Sequence, residues 1–293
     1  MKHLKLIAII FIFWSCKNNK STNEYQDLIV IDQNYKESLK IASEKDKLIF
    51  IDFYTTWCAP CKKLDKLVFK NDSIKKILKK DFILLKYNAE NDTVFHLSKK
   101  HHISSYPTGL ILNKKGYVLN RKYGFPGEDF LSLSKIVLKF TNESILLNNK
   151  NKIIKGYSNK IDEAKYPQFY IDYVNRTNTK INPLELNEYW SSNKNVLSEQ
   201  YFSTLIYFAR DASDNVANKT LKNINAYKEL YGNNDVEILM YFLTSGKFSR
   251  AISEKNQLKY DEAVLFAKNA LSVQWTDDIL PNFEKEFTKT LNE

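Results

Sequence analysis

Residues 47–54, KLIFIDFY, form a nearly unbroken apolar run rich in β-formers. Such a run predicts a central strand buried on both faces. A short helix over 35–43 precedes it, and Thr55-Thr56 ends it. Beyond that break Leu64, Leu67, Val68, Ile74, Ile77 and Leu78 recur at helical spacing. Lys62, Lys63, Lys66, Lys70, Lys75 and Lys76 occupy the opposite face. Asn71-Asp72-Ser73 marks a kink or a second helix start. FILLKY (82–87) is the next strand, and a short helix runs from 92 or 93 to 101. Tyr106-Pro107-Thr108 leads into a strand, GLILN, and Lys114-Lys115-Gly116 turns it into an antiparallel partner, YVLNRKYG. An amphipathic helix over 130–140 closes this α/β unit.

Residues 141–293 show helical periodicity and few strand signals. Asn182-Pro183 has the cap and first-turn proline of a helix start. Further helices are predicted over 198–209, 215–231, 236–244, 261–273 and 281–291, with Tyr231-Gly232 as a stop. No 34-residue repeat is evident. This all-α region holds no cysteine or histidine and no Gly-rich phosphate loop. Its tyrosines and phenylalanines read as core, and its best use is positioning or partner docking.

The N-terminus has a different character. Lys2 and Lys5 precede nine apolar residues, LIAIIFIFW, too short to span a bilayer but suited to a signal-peptide core. The run ends in Phe13-Trp14-Ser15-Cys16, which resembles a bacterial lipobox. Phe13 stands where leucine is usual, and bulky Trp14 follows. The resemblance implies a lipoprotein signal peptide over 1–15 and acylation of Cys16 with palmitate-type chains. Two chains anchor a protein stably. The other reading is an ordinary cleaved signal with an incidental cysteine. Residues 16–30 read as a polar tether, 31–140 as the α/β domain and 141–293 as the helical domain.

Composition narrows the chemistry. Of 293 residues 43% are hydrophobic and 27% charged, enough to bury a core in about two domains. Three cysteines exclude a disulfide-rich scaffold and a four-cysteine metal site. With Cys16 assigned to lipidation, Cys58 and Cys61 remain, a C-x-x-C pair in an exported chain. The net charge of +10 belongs to the first half: residues 16–140 carry 23 basic and 14 acidic side chains, residues 141–293 carry 19 and 20. Export argues against nucleic acid as a partner. The lysines are a solvated face, or they meet an anionic membrane or acidic substrates.

Residues 48–140 resemble a thioredoxin domain. Trp57-Cys58-Ala59-Pro60-Cys61-Lys62 is similar to that family's W-C-G-P-C-K, with Ala59 for glycine. Asp52 stands six residues before Cys58, where the family carries a buried aspartate, and Lys86 matches its strand lysine. Ile103-Ser104-Ser105-Tyr106-Pro107-Thr108 resembles the stretch ending in the family's cis-proline, and Gly124 sits where its last strand ends. Phe69-Lys70-Asn71-Asp72 resembles a variant found in the C-terminal domain of bacterial thiol–disulfide interchange reductases. The resemblance covers about a third of the chain.

It implies a thioredoxin fold and a redox disulfide between Cys58 and Cys61. Cys58, at a helix start, is the attacking thiolate. Cys61, expected to be more buried, resolves the mixed disulfide. Asp52, with a raised pKa, takes the proton from Cys61, and Lys86 tunes Asp52. Asp52 as a satisfied core carboxylate and Lys86 as an ordinary strand lysine are the plainer alternatives. Trp57, Tyr106, Pro107 and Thr108 line the substrate side, with Trp57 as apolar rim or simply packing. A cis Tyr106-Pro107 bond would present backbone groups to an extended substrate. Lys62 excludes the C-x-x-C-H of haem attachment. His96, His101 and His102 read as a surface helix end rather than metal ligands. No metal or cofactor is implied.

The expected protein is a lipid-anchored thiol–disulfide oxidoreductase of the cell envelope, facing the periplasm, with the outer membrane favoured. Its partners would be envelope protein thiols and disulfides and a membrane electron donor. Ala59-Pro60, with no histidine before Cys61, favours reduction. Oxidation, isomerisation, or a redox-sensing module whose helical half recruits a partner remain alternatives.

Overall fold

The computed structural model describes residues 27–162 and 165–293. The signal segment and Cys16 lie outside them.

Five strands form one mixed sheet in the order β1-β3-β2-β4-β5. The apolar run becomes β2 (Leu48–Tyr54), with every residue but the last buried. It lies parallel to β3 (Phe82–Asn88) and antiparallel to β4 (Thr108–Leu112). β5 (Val118–Tyr123) pairs antiparallel with β4 across a turn whose Gly116 has φ 83° and donates to the Asn113 carbonyl at 2.9 Å. A short edge strand, β1 (Val30–Asp32), pairs parallel with β3 and was not evident in the pattern. Three residues with one side chain inward leave little periodicity to read. Leu28 is buried too, so the packed fold begins before residue 31.

Alternation along the strands sends side chains to two cores. Phe50, Leu84 and Ile111 join Leu64, Val68, Ile74, Leu78, Val137 and Phe140 on one face. Those partners come from α2 (Ala59–Leu64), a π-helical turn (Asp65–Phe69), α3 (Asp72–Leu78) and α5 (Phe130–Asn149). Asn71 caps α3 by accepting from the Ser73 and Ile74 amides, which explains the interruption after Phe69. Helix α5 starts where predicted and continues nine residues beyond Phe140.

On the other face Ile49, Ile51, Phe53, Ile83 and Leu85 pack against α1 (Tyr35–Lys45) and α4 (Leu97–Lys100). This core runs without a break into the helical region, through Tyr157, Tyr170, Phe202, Tyr231 and Leu239. The helices there are α6 (Gln168–Asn175), α7 (Pro183–Ser192), α8 (Glu199–Tyr207), α9 (Asp214–Lys222), α10 (Ile224–Tyr231), α11 (Asn233–Ser253), α12 (Gln257–Ala270) and α13 (Val273–Asn292). A smaller cluster around Phe248, Tyr260 and Phe287 joins the last three. No helix among the described residues is long and apolar enough to cross a membrane.

The histidines correct the sequence reading. His101 and His102 are buried rather than at a surface helix end. His102 contacts the Tyr157 hydroxyl at 2.6 Å and Arg121 Nη1 at 2.6 Å, and Arg121 pairs with Asp235 of α11 at 2.8 Å. Burial first, then the Arg121 charge, holds His102 well below the ordinary histidine range. α8 grips the same segment: Glu199 pairs with buried Lys100, Ser203 donates to the Lys100 carbonyl at 3.0 Å, and Tyr207 donates to the Ile103 carbonyl at 2.5 Å.

Candidate functional site

β2 carries Asp52 inward and then delivers Cys58 to the start of α2. Cys58 is the N-cap, with extended backbone, and its Sγ accepts from the Cys61 amide at 3.2 Å. Pro60 falls in the first turn, where a missing N–H costs nothing. Cys58 and Cys61 form a disulfide with Cα atoms 5.3 Å apart. Their exposures are 3% and 4%, so the greater burial expected for Cys61 is absent. What distinguishes them is position. Cys58 faces the free amides and positive end of the helix, which favour a thiolate; Cys61 lies inside the first turn.

The β2–β3 register sets Asp52 beside Lys86. Lys86 Nζ lies 2.5 Å from Asp52 Oδ2 and 2.9 Å from Asp65 Oδ1. Asp65 also pairs with Lys70 at 2.7 Å. Asp52 Oδ1 is buried with no hydrogen-bond partner. Burial raises the Asp52 pKa, and Lys86 only partly opposes it. Burial acts the same way on Asp65, but Lys70 and Lys86 together hold that carboxyl below its usual value. One lysine thus joins a carboxylate that holds its proton strongly to one that gives it up easily.

Trp57 is 57% exposed. The Tyr106 ring meets it edge-on at 6.0 Å, and the Arg176 guanidinium lies over it at 5.9 Å. The Tyr106-Pro107 peptide is cis. Thr108 is buried, donates to the Ser105 carbonyl at 2.7 Å and pairs with Phe53 across β2–β4. Glu90 accepts from the Thr56 amide at 2.6 Å and hydroxyl at 2.7 Å.

The residues singled out in sequence therefore lie in two groups: Asp52 with Lys86, and Trp57 with Tyr106, flanking the Cys58–Cys61 disulfide in the chain. Sequence reasoning missed Asp65, Glu90 and Arg176. Asp65 follows Cys61 by four residues, one helical turn, and that spacing was a usable signal. Glu90 and Arg176 reach the site only through the tertiary fold. Among the described residues no cluster of three or more His, Cys, Asp or Glu side chains is placed to hold a metal.

Comparison with known proteins agrees with this geometry. A thioredoxin-like family model matches residues 30–114. The chain is 30% identical to Thioredoxin-1 of Drosophila melanogaster over 100 residues, 34% of this chain and 85% of that protein. It is 33% identical over 78 residues to the thiol:disulfide interchange protein DsbD of Salmonella typhimurium, 26% of this chain but 14% of that one. A solution structure of a "putative disulphide-isomerase" from Bacteroides thetaiotaomicron is 38% identical over 39% of this chain and 94% of its own, with a TM-score of 0.34. With its C-x-x-C disulfide at a helix cap and 30% identity to a thioredoxin matched over 85% of that protein, the chain belongs to the thioredoxin-like family of thiol–disulfide oxidoreductases.

Proposed function

We propose that this protein reduces disulfide bonds in other proteins of the bacterial envelope, held at the membrane by lipid on Cys16. The observation that carries the reading is the Cys58–Cys61 disulfide, with Cys58 capping α2. In the dithiol form the Cys58 thiolate attacks one sulfur of the client disulfide. That S–S bond breaks, a mixed disulfide forms, and one client thiolate leaves. Cys61 then gives up its proton and attacks the Cys58 sulfur. The mixed disulfide breaks, the second client thiolate leaves, and Cys58–Cys61 is oxidised as the client gains two electrons. The unpartnered Oδ1 of Asp52, with its raised pKa, supports Asp52 as acceptor of the Cys61 proton. A membrane dithiol protein would restore the reduced form.

The direction rests on Ala59-Pro60, which lacks the histidine of strongly oxidising relatives. Titrating the full chain against a dithiothreitol or glutathione series tests it. We expect a reduction potential near about −270 mV; a value near about −120 mV would identify an oxidant and end the reductase reading. The anchor is tested by fractionation: Cys16→Ser should release the chain from the membrane, and an unchanged distribution would dismiss lipidation there.

A further inference from the structure

The helical region reaches Trp57, the residue before Cys58, through Arg176. A cleft of about 600 Å³ lies between Ser104 and Tyr106 on one side and Tyr173, Arg176, Tyr207 and Arg210 on the other. A second cleft, of about 380 Å³, takes in Thr55 and Glu90 and shares Tyr106 and Arg176 with the first. Together they form a trough whose shared residues, Tyr106 and Arg176, both contact Trp57. A trough suits an extended polypeptide better than a compact small molecule.

Arg176 is fixed in place. It ends α6 in the left-handed conformation, φ 59°, with its amide bonded to the Tyr173 carbonyl at 3.1 Å. α6 is tied to the segment before Pro107 by the Tyr170 hydroxyl, which donates to the Lys99 carbonyl at 2.6 Å. The exposed guanidinium lies over the Trp57 ring at 5.9 Å, and its N–H groups suit an anionic acceptor. It has no ion pair among the described residues. Glu90 is within electrostatic range of Arg176, but Thr56 holds its carboxylate by two donors. Asp92 is buried and accepts from Tyr87, Leu97 and Ser98. Arg210 lies over the Phe242 ring and is followed by Asp211, an adjacent pair of no net charge. Arg176 is left as an exposed cation without an ion pair over Trp57, the residue before Cys58.

We infer that Arg176 is a specificity-determining residue, which draws into this trough client segments with an acidic side chain next to the cysteine. The inference rests on the disulfide-reduction reading above. Its test uses the reduced full chain and two disulfide peptides that differ only in Glu or Lys after the cysteine. An exposed ion pair near 1 kcal/mol predicts roughly a five-fold higher kcat/KM for the Glu peptide at low salt. The ratio should fall toward one at about 0.5 M salt. Arg176→Glu should invert it, and Arg176→Lys should keep its sign. A wild-type ratio of one, or a ratio indifferent to Arg176→Glu, overturns the assignment. Hydroxyethyl disulfide, uncharged and too short to fill the trough, is measured alongside with the wild type. If it is reduced while the peptide ratio is one, only the assignment to Arg176 falls. If it is not reduced, the reductase reading falls and this inference with it.

Discussion

Asp52 is ionisable, buried and lacks a partner for one oxygen, so its charge is costly to the fold. An acid with a raised folded pKa keeps its proton after the unfolded chain has released it. Its contribution favours folding below the unfolded value, near the usual 3.8, and is lost as pH rises through the higher folded value. At neutral pH, well above the unfolded value, Asp52 is therefore a net cost to folding. Asp52→Asn removes that cost without stranding Lys86, which keeps Asp65 at 2.9 Å. We expect the variant to be more stable at pH 7 by about 1–3 kcal/mol, the penalty for a poorly satisfied buried polar group. The gain should shrink toward zero near pH 3. Urea unfolding at the two pH values measures it, and an equal or lower stability at pH 7 would show that Lys86 fully compensates the charge. Asp52 was legible through the family resemblance, because it stands six residues before Cys58, where thioredoxins carry a buried aspartate. Lys86 was legible in the same way, as the match to that family's strand lysine. Arg176 was not, because nothing local sets an exposed arginine at a helix end apart from others; only the packing of α6 against α4 brings it to Trp57.

The same division holds for whole elements. Strands β2 to β5 were readable, because continuous burial leaves runs that only a strand or a buried helix explains. The predicted helices are present with shifted ends, and α6 was not anticipated. The single helix expected over 215–231 is two, α9 and α10, separated at Asn223, whose side chain donates to the Lys219 carbonyl at 2.8 Å. Asparagine competes for backbone groups and favours such breaks. α11 runs to Ser253, past the end predicted at 244 and on through Gly246. Gly246 serves close approach: a Cβ there would stand 2.3 Å from the Arg210 carbonyl oxygen of the neighbouring turn. α13 begins at Val273 and contains Pro281, where the pattern suggested a start. Proline normally opens a helix because it lacks an N–H. Here Phe283 stacks on Phe248 at 4.3 Å and Phe287 on Tyr260 at 4.3 Å, and this packing holds the helix together past the proline. The buried histidines were misread for the same reason. Polarity at a helix end predicts exposure only when no second layer covers it, and α8 and α11 cover this one.

At the scale of the molecule, the question is whether the sheet and the helical region unfold as one body. Their shared core extends from Ile31 to Ala270. Two buried ion pairs cross it, Lys100 with Glu199 and Arg121 with Asp235. Burial opposes the charge of Arg121, and Asp235 more than offsets that cost. The arginine would therefore become a large liability without its carboxylate. Removing one partner of a buried pair commonly costs about 3–5 kcal/mol. Asp235 sits in α11 and Arg121 in β5, so Asp235→Ala strands a charge on the sheet side by a change on the helical side. In a single cooperative unit that loss appears everywhere. The slowest-exchanging amides of β2 and of α11 should lose protection by the same amount, read by hydrogen exchange. Separate units would behave differently, with protection falling in one region and holding in the other. Equal loss in both would also mean that the trough beside Trp57 keeps its second wall for as long as the sheet is folded. Arg176 would then belong to the site in every folded molecule rather than in a docked fraction of them.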